Sequence, residues 1–156
     1  MIRDATFMDI PFLLNLGSRY CEEEVKVLGH HSPAWDIDLS ANAFCASLHN
    51  DNIFLKVAVS DGVVVGFLWA AIHELAPWCS SKVASDYLFY VTPEKRGGTF
   101  GLSLIRAYKL WAEIGGCKEV RLSIGSGINE TRIGKMYGVL GFQHFGSVYN
   151  YRVKES

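Results

Sequence analysis

Arg96-Gly97-Gly98-Thr99-Phe100-Gly101 places a guanidinium and three glycines just ahead of an amphipathic run, a combination suited to a polyanion. Glycine has no Cβ to keep a phosphate from the main chain, and the first turn of a helix offers unpaired N–H groups at the positive end of its dipole. Arg96 adds a fork-shaped cation at the mouth of the loop. Two other phosphate loops do not fit. A nucleoside-triphosphate loop needs Gly-Lys-Ser/Thr, and the one Gly-Lys pair, Gly134-Lys135, is followed by Met136. A dinucleotide fingerprint begins at Gly125-Ser126-Gly127, but Glu130 stands where its third glycine belongs.

The elements that must carry this loop can be read from periodicity. Val83 to Val91, with Tyr87, Leu88, Phe89 and Tyr90, predicts a strand that Pro93 ends. Gly101, Leu104, Ile105, Tyr108, Trp111 and Ala112 recur at helical steps, so a helix starts inside the glycine run and closes at Gly115-Gly116. Upstream, a helix is expected from Thr6 or Asp9 to about Glu24, burying Ile10, Leu13, Leu14 and Tyr20, with Glu22-Glu23-Glu24 as a solvated acidic face. A loop with Gly29 and Pro33 leads to a second helix near Ile37 to Leu48. Ile53–Val59 and Val63–His73 read as strands joined by Ser60-Asp61-Gly62. Val120, Leu122 and Ile124 mark another strand, a helix runs through Met136, and Phe142, Phe145, Val148 and Tyr149 suggest a final hairpin. The order is α+β.

Length and composition narrow the function. A chain of 156 residues fits one domain, residues 1–156, and its net charge of −1 gives no general attraction to nucleic acid or to an anionic membrane. The longest apolar run, Val63 to Ile72, is about half what a membrane span needs, and the start of the chain lacks the blocks of a signal peptide, so a cytoplasmic protein is expected. Cys21, Cys45, Cys79 and Cys117 are scattered, which argues for reduced, mostly buried thiols rather than a zinc cluster. His30 and His31 are adjacent and cannot both face one metal from a regular element, so no metal is expected.

The glycine run resembles the acetyl-CoA signature of the GCN5-related N-acetyltransferases (GNAT), Arg/Gln-x-x-Gly-x-Gly/Ala after a strand ending Val-x-Pro. Thr99 replaces the central glycine, so Gly98 and the Thr99 amide and hydroxyl would share the pyrophosphate. The resemblance covers nearly the whole chain in the family's order. Ile2-Arg3-Asp4-Ala5-Thr6 with Asp9-Ile10-Pro11 looks like the first strand and helix, and Tyr137-Gly138-Val139-Leu140-Gly141-Phe142 matches Tyr-x-x-x-Gly-Phe near the end. The family's asparagine usually lies seven residues before that tyrosine, whereas Asn129 lies eight before it. The Arg-Gly-Gly-Thr form, Trp111-Ala112 and Gly127-Ile128-Asn129 look most like a small single-domain subgroup often encoded by bacteriophages and bacteria.

The resemblance implies a central mixed, twisted sheet of about six to seven strands with helices on both faces, and two parallel strands that splay to admit the cofactor's pantetheine arm. Acetyl-CoA is the implied cosubstrate. Phe89, Tyr90 and Val91 would bind it through main chain, and Arg96, Gly97, Gly98, Thr99, Phe100, Gly101 and Asn129 would complete its site. Tyr137 is the implied general acid for the departing thiolate. Glu74 is the preferred general base and Asp86 the second candidate, with His73 a weaker third. Trp35, Trp78, His30 and His31 fall in segments that cover the acceptor cleft in related folds. The acceptor would be an amine on a small molecule or a protein, attacking directly in a ternary complex, and a homodimer is left open. Two rivals use the same fold: a non-catalytic acyl-CoA-binding module, and a host-interaction module working through its surface.

Overall fold

The structure, a computed structural model, describes residues 1–28, 35–123, 130–149, 151, 153 and 154. Five strands form one sheet in chain order: β1 (Ile2–Asp4), β2 (Ile53–Ser60), β3 (Val63–Ala76), β4 (Cys79–Val91) and β5 (Glu119–Arg121). The first four pair antiparallel, and β5 lies parallel to β4. Helices α1 (Ile10–Leu28) and α2 (Ile37–Ser47) cover one face, while α3 (Phe100–Ile114) and α4 (Glu130–Val139) cover the other.

Local sequence explains the junctions. Asp9 accepts from the Thr6 amide at 2.8 Å and pairs with Arg3 of β1 at 2.7 Å, fastening the start of α1 to the edge strand. Ser60 pairs with Val63 across Asp61 and Gly62, both at positive φ (51° and 77°), which is the two-residue turn whose twist matches a hairpin. In α3 the residues at helical steps, Leu104, Ile105, Tyr108 and Ala112, are the buried ones. They pack on Phe54, Leu68, Ala84 and Val91 beneath the helix. Ile10, Leu13 and Leu16 of α1 and Phe44 of α2 close the opposite core on Leu55, Val57, Phe67, Leu88 and Tyr90.

One irregularity in β4 sets which of its side chains enter which core. Trp69 lies opposite Leu88 and Ala70 opposite Asp86, so Tyr87 is an extra residue, a β-bulge. Side-chain parity changes there. Ala84 belongs to the core under α3, and beyond the bulge Phe89 and Val91 join it, while Leu88 and Tyr90 belong to the core under α1. The final hairpin differs from expectation: residues 142–149 carry no strand, and Phe145, Val148 and Tyr149 are exposed. Strand β5 is three residues long, too short an edge to hold a further strand against solvent. Residues 124–129, which include Ile124 of the expected strand, lie outside the described residues.

Candidate active site

The ladder between β4 and β5 lasts three pairs, ending at Ser85 and Arg121, and then the strands part. Parting leaves backbone groups that need partners. Side chains supply them. Asp86 accepts from the Ser123 amide at 3.0 Å and from its hydroxyl at 3.1 Å. Tyr108 donates to the Arg121 carbonyl at 2.9 Å, and Tyr137 donates to the Ser123 carbonyl at 3.2 Å.

The open edge of β4 can be assigned group by group. Thr92 N donates to Val65 O at 2.8 Å, and hydrogen-bonded pairs alternate along an antiparallel ladder, so Tyr90 is bonded to Phe67 and its peptide faces β3. Phe89 and Val91 therefore turn their N–H and C=O toward the β5 side, past the end of the described ladder. The Val91 carbonyl already accepts from Arg96 Nε at 2.7 Å, and among the described residues the Phe89 groups and the Val91 amide have no partner. Tyr90, expected to bind through its main chain, instead contributes its side chain to the α1 side.

This edge leads into the glycine run. Residues Pro93–Lys95 form one 3₁₀ turn, Gly97 takes φ +85°, and Thr99 caps α3 without a hydrogen bond from its side chain. Ser103 N donates to Thr99 O at 2.9 Å, so the amides of Phe100, Gly101 and Leu102 precede the helical ladder and have no partner within it. A side chain at Gly101 would begin 3.4 Å from Phe89, and one at Gly97 would begin 3.3 Å from Arg132 Nη2. Gly98 is open, its nearest neighbour being Lys95 O at 3.6 Å.

A sheet opened beside an uncapped helix N-terminus, with a buried tyrosine at the fork, can take an extended amide chain in the gap and its phosphates on the loop. The family model for the GNAT acetyltransferases matches residues 18–142. The chain belongs to the GNAT acetyltransferase family. It is accordingly an acyl-CoA-dependent acetyltransferase whose cosubstrate is acetyl-CoA. No curated protein is matched by sequence. Among solved structures, a mutant of the Bacillus halodurans protein BH1408 superposes with a TM-score of 0.81 at 18% identity, over 99% of each chain. The aminoglycoside acetyltransferase AAC(6')-Iy with a bisubstrate analogue gives 0.72 at 24% identity, over 99% of this chain and 97% of its own. A predicted acetyltransferase of Clostridium acetobutylicum with acetyl-CoA gives 0.76 at 16%, over 97% and 95%.

Tyr137 is buried, and burial first, then the Asp86 charge, pushes its phenol up, so it stays protonated. Burial likewise raises Asp86 above the usual carboxylate range, against the hydrogen bonds from Ser123 that pull it down. The structure separates the two carboxylates expected as bases. Glu74 is exposed and pairs with Lys82, four residues along β3 from the Ala70–Asp86 pair, or about 13 Å at ~3.3 Å per residue. His73 is exposed too, donating from Nδ1 to the Glu74 carbonyl at 2.8 Å and meeting the Ser85 hydroxyl through Nε2 at 2.9 Å.

Trp35 packs where any side chain at Gly17 would collide with it, and lies 6.3 Å from the Phe44 ring, so it is core on the α1 side. Trp78, by contrast, is 88% exposed beyond the Glu74 end of the β3–β4 hairpin. His30, His31 and Asn129 lie outside the described residues. The four cysteines are each half-buried rather than buried. On the α2 side a groove of about 510 Å³ is lined by Trp69, Tyr87, Ser47, Asn50 and Ile53, with Tyr87 edge-on to Trp69 at 5.2 Å. A cleft of about 400 Å³ lies between α1 and the loop, beside Arg19, Thr92 and Lys95, away from the fork. Among the described residues no helix is long and apolar enough to cross a membrane.

Two residues escape a reading of the sequence. Glu23, expected in a solvated face, accepts from the Tyr90 hydroxyl at 2.6 Å and from Arg96 Nη2 at 2.9 Å. Its partners lie 67 and 73 positions away, and no local pattern announces them. Arg132 sits on α4 beside Gly97, a cation whose neighbourhood only the fold reveals.

Proposed function

We propose that the protein transfers the acetyl group of acetyl-CoA to a primary amine by direct attack in a ternary complex. The observation that carries this reading is the edge of β4 at Phe89 and Val91, unpaired among the described residues and running straight into the uncapped amides of α3. The pantetheine amides pair with that edge as a short extra strand. The pyrophosphate rests on the amides of residues 98–102, with Arg96 and Arg132 beside it. The Val91 or Phe89 N–H polarises the thioester carbonyl.

Tyr137 stands at the fork where the thioester sulfur comes to lie, and its single hydroxyl proton is held by a long bond to Ser123 O (3.2 Å). That bond is easily exchanged for one to the developing thiolate. A lysine-like amine, with pKa near ~10.4, must lose a proton before it attacks. Asp86 is the carboxylate placed at the opening, and its burial makes it a stronger base than an exposed one; Glu74 is the comparison. The acceptor approaches from the α2 side, where Tyr87 and Trp69 line the groove. A thioester is already activated, so holding the amine in line supplies most of the rate.

The test is coenzyme A calorimetry followed by thiol release from acetyl-CoA with a panel of a peptide N-terminus, a lysine peptide, spermidine and an aminoglycoside. Amine-dependent release with at least one acceptor is expected. Tight coenzyme A binding with no amine-dependent release would replace the transferase with a non-catalytic acyl-CoA-binding module, and no binding would remove the site altogether.

A further inference from the structure

Arg96 does not wave free at the mouth of the loop. Its Nε donates to the Val91 carbonyl at 2.7 Å and its Nη2 to Glu23 Oε2 at 2.9 Å, while its guanidinium lies 5.2 Å from the Tyr90 ring centre. The other Glu23 oxygen accepts from the Tyr90 hydroxyl at 2.6 Å, so both carboxylate oxygens are used. Arg19, one turn earlier on α1, reaches Glu94 of the 3₁₀ turn at 3.8 Å. Burial alone would raise the Glu23 carboxyl, but the hydrogen bonds from Tyr90 and Arg96 and the charges of Arg96 and Arg19 hold it below the usual range, so it is ionised.

We infer that Glu23 is a positioning residue for acyl-CoA, holding the Arg96 guanidinium so that its remaining N–H groups meet the pyrophosphate. The inference rests on the transferase reading of the loop. Its chemistry comes from the shape of arginine. The edge formed by Nε and Nη2 is taken by two protein acceptors, and the opposite edge, Nη1 with the outer hydrogen of Nη2, has no acceptor among the described residues and can meet an anion. An arginine already fixed in the free protein loses less rotamer freedom when the phosphate arrives. Glu23 cannot act by attraction, because a carboxylate at this point opposes the charge of the ligand. Electrostatics alone would therefore make coenzyme A bind more tightly when Glu23 is neutralised, whereas positioning makes it bind less tightly.

The opposed signs make the experiment decisive. Glu23→Gln can still accept from Tyr90 through its carbonyl, but its amide then faces Arg96 as donor against donor and releases it. Glu23→Asp keeps the charge and is one methylene too short to hold both partners. Coenzyme A affinity would be measured by calorimetry on the full chain for both variants, for Arg96→Gln, and for Glu23→Gln/Arg96→Gln, with melting temperatures as the control for folding. Both Glu23 variants should bind roughly tenfold more weakly, as expected for one charge-assisted hydrogen bond left unpositioned. The double variant should bind no worse than Arg96→Gln alone. Unchanged or tighter binding in either Glu23 variant, or additive losses in the double variant, would overturn the inference while leaving the transferase intact. Failure of the wild type to bind coenzyme A would overturn the transferase reading and this one together.

Discussion

Replacing Gly98 with valine separates binding from folding at the phosphate loop. A Cβ at this position meets nothing closer than the Lys95 carbonyl at 3.6 Å, ordinary van der Waals contact, and Gly98 is not in the left-handed region. The free protein should therefore lose little stability, within about 1 kcal/mol or ~2–4 °C in Tm for a chain of this size. On the proposed reading, a bound pyrophosphate would lie where the valine methyls project. If the branch forces one amide–phosphate hydrogen bond to break, the loss is about 1.5–3 kcal/mol, which is roughly 10- to 150-fold in Kd. Gly97→Ala is the contrasting control. At φ +85° any side chain is strained by about 1–2 kcal/mol, so Gly97→Ala should lower Tm where Gly98→Val does not. Calorimetry with coenzyme A and a thermal melt on both variants settle it. Wild-type affinity in a folded Gly98→Val protein would remove the loop from the site, and the reasoning from uncapped amides with it.

Three further outcomes are expected from the same geometry. Tyr137→Phe should keep coenzyme A affinity and lower turnover by ~10²-fold, the low end for general acid catalysis, while the lost bond to Ser123 costs about 0.5–1.5 kcal/mol of stability; full turnover would make Tyr137 a core residue only. Asp86 is held above its unfolded pKa, so the stability it contributes is present below about pH 4 and is lost as pH rises through the raised folded value. Asp86→Asn, which can still accept from Ser123, should thus melt higher than wild type at neutral pH, with the gap closing toward pH 4, while acetyl transfer falls and Glu74→Gln stays near wild type. A melt showing no pH-dependent gap would refute the burial argument, and a rate loss confined to Glu74→Gln would reverse the choice of base. Gly66→Ala would place a Cβ 2.7 Å from the Tyr90 carbonyl, a backbone atom that cannot swing away, and should destabilise by about 1–3 kcal/mol in chemical denaturation.

The features legible in the chain are those that depend on neighbours in sequence. The glycine run, the strand before it and the helix after it rest on local geometry and three- to four-residue periodicity; the helix starts within the run as expected, while the strand begins at Cys79, four residues ahead of Val83. The two-residue turn at Asp61-Gly62 is legible for the same reason. Asp86 can be named from the sequence only as a second choice, because its position depends on where a parallel ladder stops, and that is fixed by β5 thirty-odd residues later. Glu23 reads as solvated in sequence because its partners reach it only through the α1 packing. The apolar residues Phe142, Phe145, Val148 and Tyr149 mislead: a strand needs an edge to join as well as apolar side chains, and the described β5 offers three residues.

The bulge at Tyr87 gives β4 something like a reading frame. Ahead of it the even-numbered Ala84 lies under α3, and after it the odd-numbered Phe89 and Val91 do. Loss of this one residue would restore plain alternation, Asp86 opposite Ala70 and Leu88 opposite Trp69, and leave every side chain downstream on its present face, whereas one residue added between Tyr87 and Leu88 would send Leu88 and Tyr90 toward α3 and Phe89 and Val91 toward α1. The added residue would also exchange which peptides face β3 and which face the opening. A single-codon insertion here should thus be far more damaging than the gain of a residue in the Pro77-Trp78 turn, and deletion of Tyr87 should be the milder change in β4. Among relatives of different length, insertions are expected to accumulate at such turns and to spare the stretch from Leu88 to Val91, even where the side chains themselves have changed.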